Sequence, residues 1–230
     1  MRFDIVTIFP NIFDSYFNES ILSRAKEKKL IEINIHNLRD YTEDKHKTVD
    51  DSPYGGGPGM VMRADVLVRA ISKIKNQPRR SEGGRGSDTK SSEKTRVILF
   101  SPAGKKFTQK DAQRLSKYSQ LVLVCGRYEG VDHRIEKYVA DEIFSIGDFV
   151  LSGGEIPAMA VVESVSRQIK GVLGKEESIE EKRYGIGVPT YTRPESVVIK
   201  NKNRIVPKVL ISGDHKKIEE WRVSRRRASP

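Results

Sequence analysis

The stretch QLVLVCG, residues 120–126, carries an uninterrupted apolar run and ends in glycine. Apolar runs without alternation are typical of parallel strands that are covered on both faces. Working outward from it, further strands are predicted at FDIVTIF (3–9), IEINIHNL (31–38), RVILFSP (96–102) and EIFSIGDFVL (142–151). Helical periodicity predicts helices between and after them, at 11–29, 64–75, 108–119, 131–141 and 154–169. The alternation predicts an α/β fold with a mostly parallel sheet and helices on both faces.

Composition limits the partners that this chain can have. Lys and Arg number 42 against 31 Asp and Glu, so the 230 residues carry a formal charge of +11. A balance this basic favours a polyanionic partner, nucleic acid first and an anionic membrane surface second. Hydrophobic residues make up 37%, enough for a packed core. No apolar run reaches the roughly 20 residues of a membrane-spanning helix, so such a helix is excluded. Of the two polyanionic partners, nucleic acid is expected and a membrane is not.

Cysteine usage and the first residues point to the cytoplasm. Cys125 is the single cysteine, so an intrachain disulfide and a cysteine-based zinc site are both excluded. Asp4 interrupts the first apolar stretch, which argues against a secretory signal. Cys125 follows the apolar residues LVLV and is therefore interpreted as a buried residue rather than a nucleophile. The four histidines are scattered without ligand spacing, and no metal is expected.

The pattern along the chain predicts one large domain and a smaller one. Residues 77–95 are polar and of low complexity, which favours a solvated insertion over an RNA-binding arm. After Gly171 the sequence is polar and turn-rich, and then SVVIK and IVPKVLIS predict a strand pair, with Asp214 capping a last helix. The predicted boundaries are a domain at 1–171, a linker loop at 172–190 and a short RNA-contacting domain at 191–230.

Glycine-bearing loops follow three of the predicted strands: SPAG (101–104), CGRYEG (125–130) and SIGDFVLSGGE (145–155). Ligands of open α/β sheets gather at the carboxyl ends of strands, and glycine allows backbone groups to approach them closely. None of the loops is a dinucleotide-binding or Walker motif. Tight turns and a cofactor pocket both explain the glycines, and three such loops at successive strand ends favour the pocket.

A fourth glycine-rich stretch, DDSPYGGGPGM (50–60), stands outside this pattern. One interpretation is a flexible surface loop. The other is a loop that closes over a planar ligand, with Tyr54 available to stack on it.

Together these motifs resemble a known family. YGGGPGM, SPAG, CGRYEGVD, SIGDFVLSGGE, SVSR, GVLG and YTRP closely resemble motifs of the bacterial tRNA (guanine-37-N1)-methyltransferases of the TrmD type, in the SPOUT superfamily. CGRYEG followed by SIGDFVLSGGE, in this order and spacing, is the specific part of the resemblance, whereas the loop between Arg183 and YTRP is shorter than the family's usual one. The resemblance implies a trefoil-knotted α/β domain, an exception to the rule against knots. It also implies a homodimer, S-adenosylmethionine as methyl donor, tRNA as substrate and a small C-terminal domain that helps to hold tRNA.

The resemblance also implies site residues, carried over by motif. The cofactor-binding set is Leu99, Phe100, Ser101, Pro102, Gly126, Glu129, Ile146, Gly147, Asp148, Phe149, Val150, Leu151, Gly153, Gly154 and Pro157. His46 and Asp50 match positions near the target guanine and the partner subunit, and Tyr54 is added as a substrate-binding residue. Arg167 matches the catalytic arginine, although pairing with Glu163 at i,i+4 is its structural alternative.

The general base departs from the family pattern. Lys182 stands where the family has an aspartate. A lysine in water has a pKa of roughly 10.4, so it would be protonated at neutral pH and unable to accept a proton. Glu181, or failing it Glu180, is therefore the predicted base, while solvated glutamates with water as base are the alternative. The expected activity is methylation of N1 of guanine 37 of tRNA. The alternative is a catalytically weak RNA-binding relative that has lost its base, and an RNA-binding protein of another fold ranks third.

Overall fold

The structure is a computed structural model, and it describes residues 1–77, 94–174 and 187–225. The chain divides into two compact units, Met1–Val172 and Leu173–Pro230. Almost all of the predicted insertion at 77–95 lies outside the described residues, and its interpretation stays a prediction.

The first unit is built on a five-stranded sheet in which all neighbouring strands run parallel. The strands of the sheet are β1 (Arg2–Thr7), β2 (Glu32–Asn37), β5 (Thr95–Lys106), β6 (Gln120–Val124) and β7 (Glu142–Ser145). Two further strands, β3 (Asp50–Asp51) and β4 (Val61–Met62), form a separate short antiparallel pair. The spatial order of the sheet is β2-β1-β6-β5-β7. This confirms the predicted parallel α/β fold, whereas the trefoil knot stays a prediction.

Helices cover both faces of this sheet. They are α1 (Asp14–Phe17), α2 (Ser20–Glu27), α3 (Ala64–Lys75), α4 (Gln109–Leu115), α5 (His133–Tyr138) and α6 (Glu155–Ser166), with 3-10 helices at Pro10–Phe13 and Leu38–Tyr41. α2, α4 and α6 pack on one face, and α3 and α5 pack on the other.

The apolar run of β6 supplies both cores. Leu121 and Leu123 belong to the cluster beneath α4 and α6, while Val122 and Val124 belong to the cluster beneath α3. Successive side chains of a strand point to opposite faces, so a strand covered on both sides must be apolar at every position. Cys125, directly after β6, is fully buried, which confirms its interpretation as a buried residue.

Three predicted elements are wrong in extent. The predicted helix 11–29 is broken into a 3-10 helix, α1 and α2, because Asn18 ends α1 and Ser20 has a left-handed φ of 51°. The predicted strand 142–151 ends at Ser145, where its hydroxyl bonds to both backbone groups of Gly147 and turns the chain. β5 is longer than predicted, since it pairs with β7 on both sides of an irregularity between Phe100 and Lys105.

The second unit contains a hairpin and two helices, β8 (Ser196–Ile199), β9 (Lys202–Ile205), α7 (Lys208–Ile211) and α8 (His215–Ser224). The predicted strand pair is present, but its second strand lies before Pro207 and the predicted strand residues VLI are helical instead. The Asp214 side chain accepts from the Lys217 amide and caps α8, as predicted.

A buried charge cluster lies near the amino end of β1. The Asp4 carboxylate is fully buried and accepts hydrogen bonds from Arg2 Nε (2.7 Å) and Gln120 Nε2 (2.7 Å), with His36 Nε2 at 2.9 Å. Burial raises the pKa of Asp4, but the hydrogen bonds from His36, Arg2 and Gln120 outweigh it, so the pKa lies below its ordinary value. Arg2 Nη2 also reaches the Ile74 carbonyl at 3.4 Å, which joins the cluster to the end of α3.

Replacing Asp4 by asparagine should destabilise the fold in a pH-dependent way. Asp4→Asn leaves buried Arg2 without its carboxylate, so the free energy of unfolding at pH 7 should fall by about 3 kcal/mol. The pKa of Asp4 is lower in the folded state than in the unfolded state. The carboxylate therefore stabilises the fold fully at pH values above its unfolded-state pKa, and this stabilisation is lost as the pH falls through its folded-state pKa. Urea unfolding from pH 7 to pH 3 should therefore show the two proteins converging at low pH. Exposed Asp44→Asn is the control and should change unfolding far less.

Candidate active site

A cavity of about 410 Å³ opens at the carboxyl ends of β6 and β7 and at residues 99–102 of β5, where the pairing of β5 with β7 becomes irregular. Its walls are the segments 99–102, 126–131, 144–146 and 149–154, together with Glu136 of α5 and Pro157 of α6. The three glycine-bearing loops therefore meet in one place. Parallel strands bring this about, because their carboxyl ends lie at the same edge of the sheet.

The loop after β6 is held against the segment that contains β4. The Glu129 amide donates to the Met60 carbonyl (3.0 Å), the Met62 amide donates to the Gly130 carbonyl (2.9 Å), and the Asp132 amide donates to the Met62 carbonyl (3.1 Å). These bonds extend pairing beyond the short strand β4. The end of the DDSPYGGGPGM stretch thus lies beside one wall of the cavity.

Tyr128 stands out in that wall because its backbone is strained. Its φ is 61°, a left-handed conformation that residues with a Cβ rarely adopt. Burial and the neighbouring Asp50 carboxylate, which bonds to the tyrosine, raise the pKa of Tyr128, and Arg39 on the other side opposes this. The contact joins Asp50 of β3 to a residue that lines the cavity.

The loop after β7 is folded by local bonds and one ion pair. The Ser145 hydroxyl donates to the Gly147 carbonyl (2.8 Å) and accepts from the Gly147 amide (3.2 Å). Lys106 Nζ lies 2.6 Å from the Asp148 carboxylate, so the loop is tied to the end of β5. A Cβ on Gly147 would overlap the ring of Phe149, which lines the cavity.

Gly154 allows α6 to begin against the end of β6. A Cβ built on Gly154 would lie 2.7 Å from Cα of Cys125, and the Gly154 amide donates to the Gly126 carbonyl at 3.0 Å. The glycine therefore provides close backbone packing at the base of the cavity. Burial, with the charge of Glu155 second, raises the pKa of the Cys125 thiol, so this sulfur is inert at neutral pH.

Neither a cluster of metal-ligating side chains nor a membrane-spanning helix occurs in the part of the chain that the structure describes. In residues 1–77, 94–174 and 187–225, no group of three or more His, Cys, Asp or Glu side chains could hold a metal ion. Within the same residues, no helix is long and apolar enough to cross a bilayer.

Known proteins match the whole chain. The model of the family described as tRNA (Guanine-1)-methyltransferase TrmD matches residues 1–229. A protein named tRNA (guanine-N(1)-)-methyltransferase from Dictyoglomus turgidum is 47% identical over 225 residues, covering 96% of this chain and 83% of its own. Proteins of the same name from Ruminiclostridium cellulolyticum and Bacillus pumilus are 46% and 44% identical, covering 97% and 96% of this chain and 90% and 85% of their own.

The chain belongs to the TrmD family. The resemblance inferred from the sequence motifs is thereby confirmed. Tight turns and a cofactor pocket were the two interpretations of the glycine-bearing loops at 101–104, 125–130 and 145–155. In this TrmD-family chain these loops contribute walls of the cavity. Some of these glycines, Gly154 above all, are explained by packing within the protein, so the two interpretations are not exclusive.

Most of the predicted cofactor-binding residues line this TrmD-family cavity. The exceptions are Gly147 and Asp148, which lie in the same loop but outside the lining. Sequence reasoning missed lining residues, namely Arg127, Tyr128, Gly130, Val131, Glu136, Phe144, Ser145 and Ser152. Arg127, Tyr128 and Gly130 belong to the CGRYEG motif, which could have identified them, whereas nothing in the sequence marks Glu136 of α5.

Other predicted site residues lie elsewhere in the TrmD-family chain. Arg167 caps the carboxyl end of α6, ten residues beyond Pro157 and therefore about 15 Å from it along the helix axis. No ion pair joins Arg167 to Glu163 in the described residues, and Glu163 lies beside the Tyr16 hydroxyl instead. His46 and Tyr54 are exposed and do not line the cavity. Glu181, with its neighbours 180 and 182, lies outside the described residues.

Adding a methyl group at Gly154 should disturb the base of the cavity. In Gly154→Ala the new Cβ meets backbone atoms of Cys125, which cannot rotate away, so the chain should lose about 1–3 kcal/mol of stability. Thermal unfolding followed by calorimetry measures the loss. Gly174→Ala is the matched control, since a Cβ there meets nothing within 4 Å, and a melting temperature equal to that of Gly154→Ala would contradict the packing role.

Proposed function

We propose that this TrmD-family chain transfers a methyl group from S-adenosylmethionine to N1 of guanine 37 of tRNA. The observation that carries the proposal is the cavity in which the SPAG, CGRYEG and SGGE loops meet. The relatives are named for methylation of guanine N1 of tRNA, and position 37 and the methyl donor are our inference. From the tRNA substrate we infer that the reaction takes place in the cytoplasm.

The residues of the cavity fit S-adenosylmethionine. About 410 Å³ falls within the range of small-molecule sites. Leu99, Val150 and Leu151 offer an apolar wall for an adenine ring, and Glu129 and Glu136, which also line the cavity, add negative charge that suits a positively charged ligand. When bound, S-adenosylmethionine supplies a methyl group activated by a positively charged sulfur.

The protein must then handle a proton and a developing negative charge. Guanine N1 carries a hydrogen and is a poor nucleophile at neutral pH, so a general base has to accept that proton. We assign this to Glu181, with Glu180 as the substitute. Negative charge develops toward guanine O6 as the proton leaves, and the Arg167 guanidinium is the donor proposed to stabilise it.

The distance between Arg167 and the cavity supports a homodimer. Arg167 lies about 15 Å along α6 from Pro157, the residue of that helix that lines the cavity, and does not itself line the cavity of its own chain. Ile156 on α6 and Phe149 and Val150 beside the cavity are more than half exposed, so an apolar surface adjoins the site. We propose that a second copy covers this surface and that each site combines the cavity of one chain with His46, Asp50 and Arg167 of the other.

The net charge of +11 suits a tRNA substrate. Binding through phosphates releases counterions, so the affinity for tRNA should fall steeply with salt. Basic side chains of the second unit, including Arg222 and Arg225, are the proposed contacts, and Arg226 and Arg227 lie outside the described residues.

Methyl transfer to a tRNA transcript tests the proposed function. With tritiated S-adenosylmethionine, a transcript with guanine at position 37 should be methylated and the same transcript with adenine there should not. Glu181→Gln keeps the shape of the side chain and removes its basicity, so its single-turnover rate should fall on the order of a hundredfold. Binding of tRNA without methylation would contradict the proposal and identify an RNA-binding relative that has lost its base.

Mixed dimers test whether two chains share a site. Arg167→Ala lacks the catalytic donor, and Gly147→Trp displaces Phe149 into the cavity, so each variant alone should be inactive. Mixing the unfolded variants and refolding them together should restore methylation, because one site of a mixed dimer then has an intact cavity and an intact Arg167. Mixtures as inactive as their parents, or an active monomer by sedimentation, would contradict the shared site.

A further inference from the structure

We propose that the ion pair between Arg127 and the buried carboxylate of Glu155 sets the spacing of the two loops that enclose the methyl-donor cavity. Glu155 is then a positioning residue that acts through Arg127. The inference rests on the proposed function in one respect, namely that the cavity binds S-adenosylmethionine.

The Glu155 carboxylate is almost fully buried at the first turn of α6. Its Oε1 accepts from the Thr7 hydroxyl at 2.8 Å, and its Oε2 accepts from Arg127 Nε at 2.9 Å. The Thr7 hydroxyl oxygen in turn accepts from the Phe9 amide at 3.0 Å. Both oxygens of a buried carboxylate are thus bonded, which is the condition for keeping a charge away from water.

Arg127 extends from this carboxylate to both walls of the cavity. It belongs to the loop after β6, and its Nη1 donates to the Ser152 carbonyl of the loop before α6 at 3.1 Å. The guanidinium also lies 4.7 Å from the ring centroid of Phe9, and the Arg127 amide donates to Met62 Sδ at 3.1 Å. One residue therefore fixes both loops relative to β1 and β4.

Gly153 explains why the ion pair can pass between the loops. A Cβ built on Gly153 would overlap Arg127 Nε and would lie 2.5 Å from Glu155 Oε2. Any side chain there would occupy the space of the pair. The first glycine of SGGE thus makes room for the ion pair, and the second, Gly154, lets α6 begin against Cys125.

The effect of the ion pair on ligand binding can be measured apart from that of the cavity wall, because Glu155 and Thr7 do not line the cavity, whereas Arg127 does. An effect of Glu155 or Thr7 on the ligand has to pass through Arg127 and the two loops. Small displacements of such walls matter, since an active site loses much of its efficiency when groups move by about 1 Å.

The test compares four variants that preserve side-chain size as far as possible. Glu155→Gln removes the charge of the pair, Thr7→Val removes the hydroxyl that holds Glu155, and Thr7→Ser restores that hydroxyl. Glu142→Gln is the matched control. Glu142 also forms an ion pair, with Arg114 at 2.5 Å, but it lies at the amino end of β7, away from the carboxyl end that adjoins the cavity. Each folded variant is titrated calorimetrically with S-adenosylhomocysteine, and its melting temperature is measured.

Glu155→Gln should weaken S-adenosylhomocysteine binding at least tenfold and Thr7→Val about threefold, with Thr7→Ser close to the unchanged protein. In turnover, the KM for S-adenosylmethionine should rise while the KM for tRNA stays constant. Glu142→Gln should melt earlier yet bind as the unchanged protein does. If Glu155→Gln fails to fold, the S-adenosylhomocysteine affinities of Thr7→Val and Thr7→Ser are compared instead, and a weaker affinity of Thr7→Val alone supports the inference.

Unchanged affinity in the folded variants would overturn the inference and leave the pair with a structural role only. Equal weakening by Glu142→Gln would also overturn it, since the effect would then follow from general destabilisation. Failure of the unchanged protein to bind S-adenosylhomocysteine would instead refute the proposed cofactor, so the two failures are distinguishable.

Discussion

Parallel pairing of strands that are buried on both faces is the constraint from which the other features of the first unit follow. It requires apolar residues at positions 121–124 of β6, and it places the carboxyl ends of β6 and β7 and residues 99–102 of β5 at one side of the sheet. Loops leave the sheet at this side. They enclose a cavity, and their glycines permit backbone contacts that a Cβ would prevent.

Buried polar groups at the two ends of β1 complement this apolar interior. Asp4 near one end is held by Arg2, His36 and Gln120, and Thr7 at the other end holds Glu155, which holds Arg127. A buried carboxylate is tolerated only where its partners are in place. The first cluster joins the sheet to α3 and contributes to stability. The second cluster adjoins the cavity, where we infer that similar chemistry contributes to function.

The cavity and the proposed catalytic arginine occupy opposite ends of α6. In the function that we propose, a single chain therefore presents the cavity for the methyl donor without the group assigned to stabilise charge on guanine. Exposed apolar residues lie beside the cavity, and we propose that a second chain covers them. In the arrangement that we propose, the reaction would depend on assembly, because neither copy alone would bring donor, base and arginine together.

The sequence by itself determined the class of fold, the strands that carry the glycine loops, the capping of α8 and membership of the TrmD family, because periodicity, caps and motifs are local properties. It did not reveal the break at Ser20, where an apolar helical spacing continues across a left-handed residue. Only the tertiary structure decided that Arg127 pairs with Glu155 and that Thr7 holds Glu155 from 148 positions away. The physical reason is that such contacts depend on the order of strands in the sheet, and no local pattern of residues encodes that order.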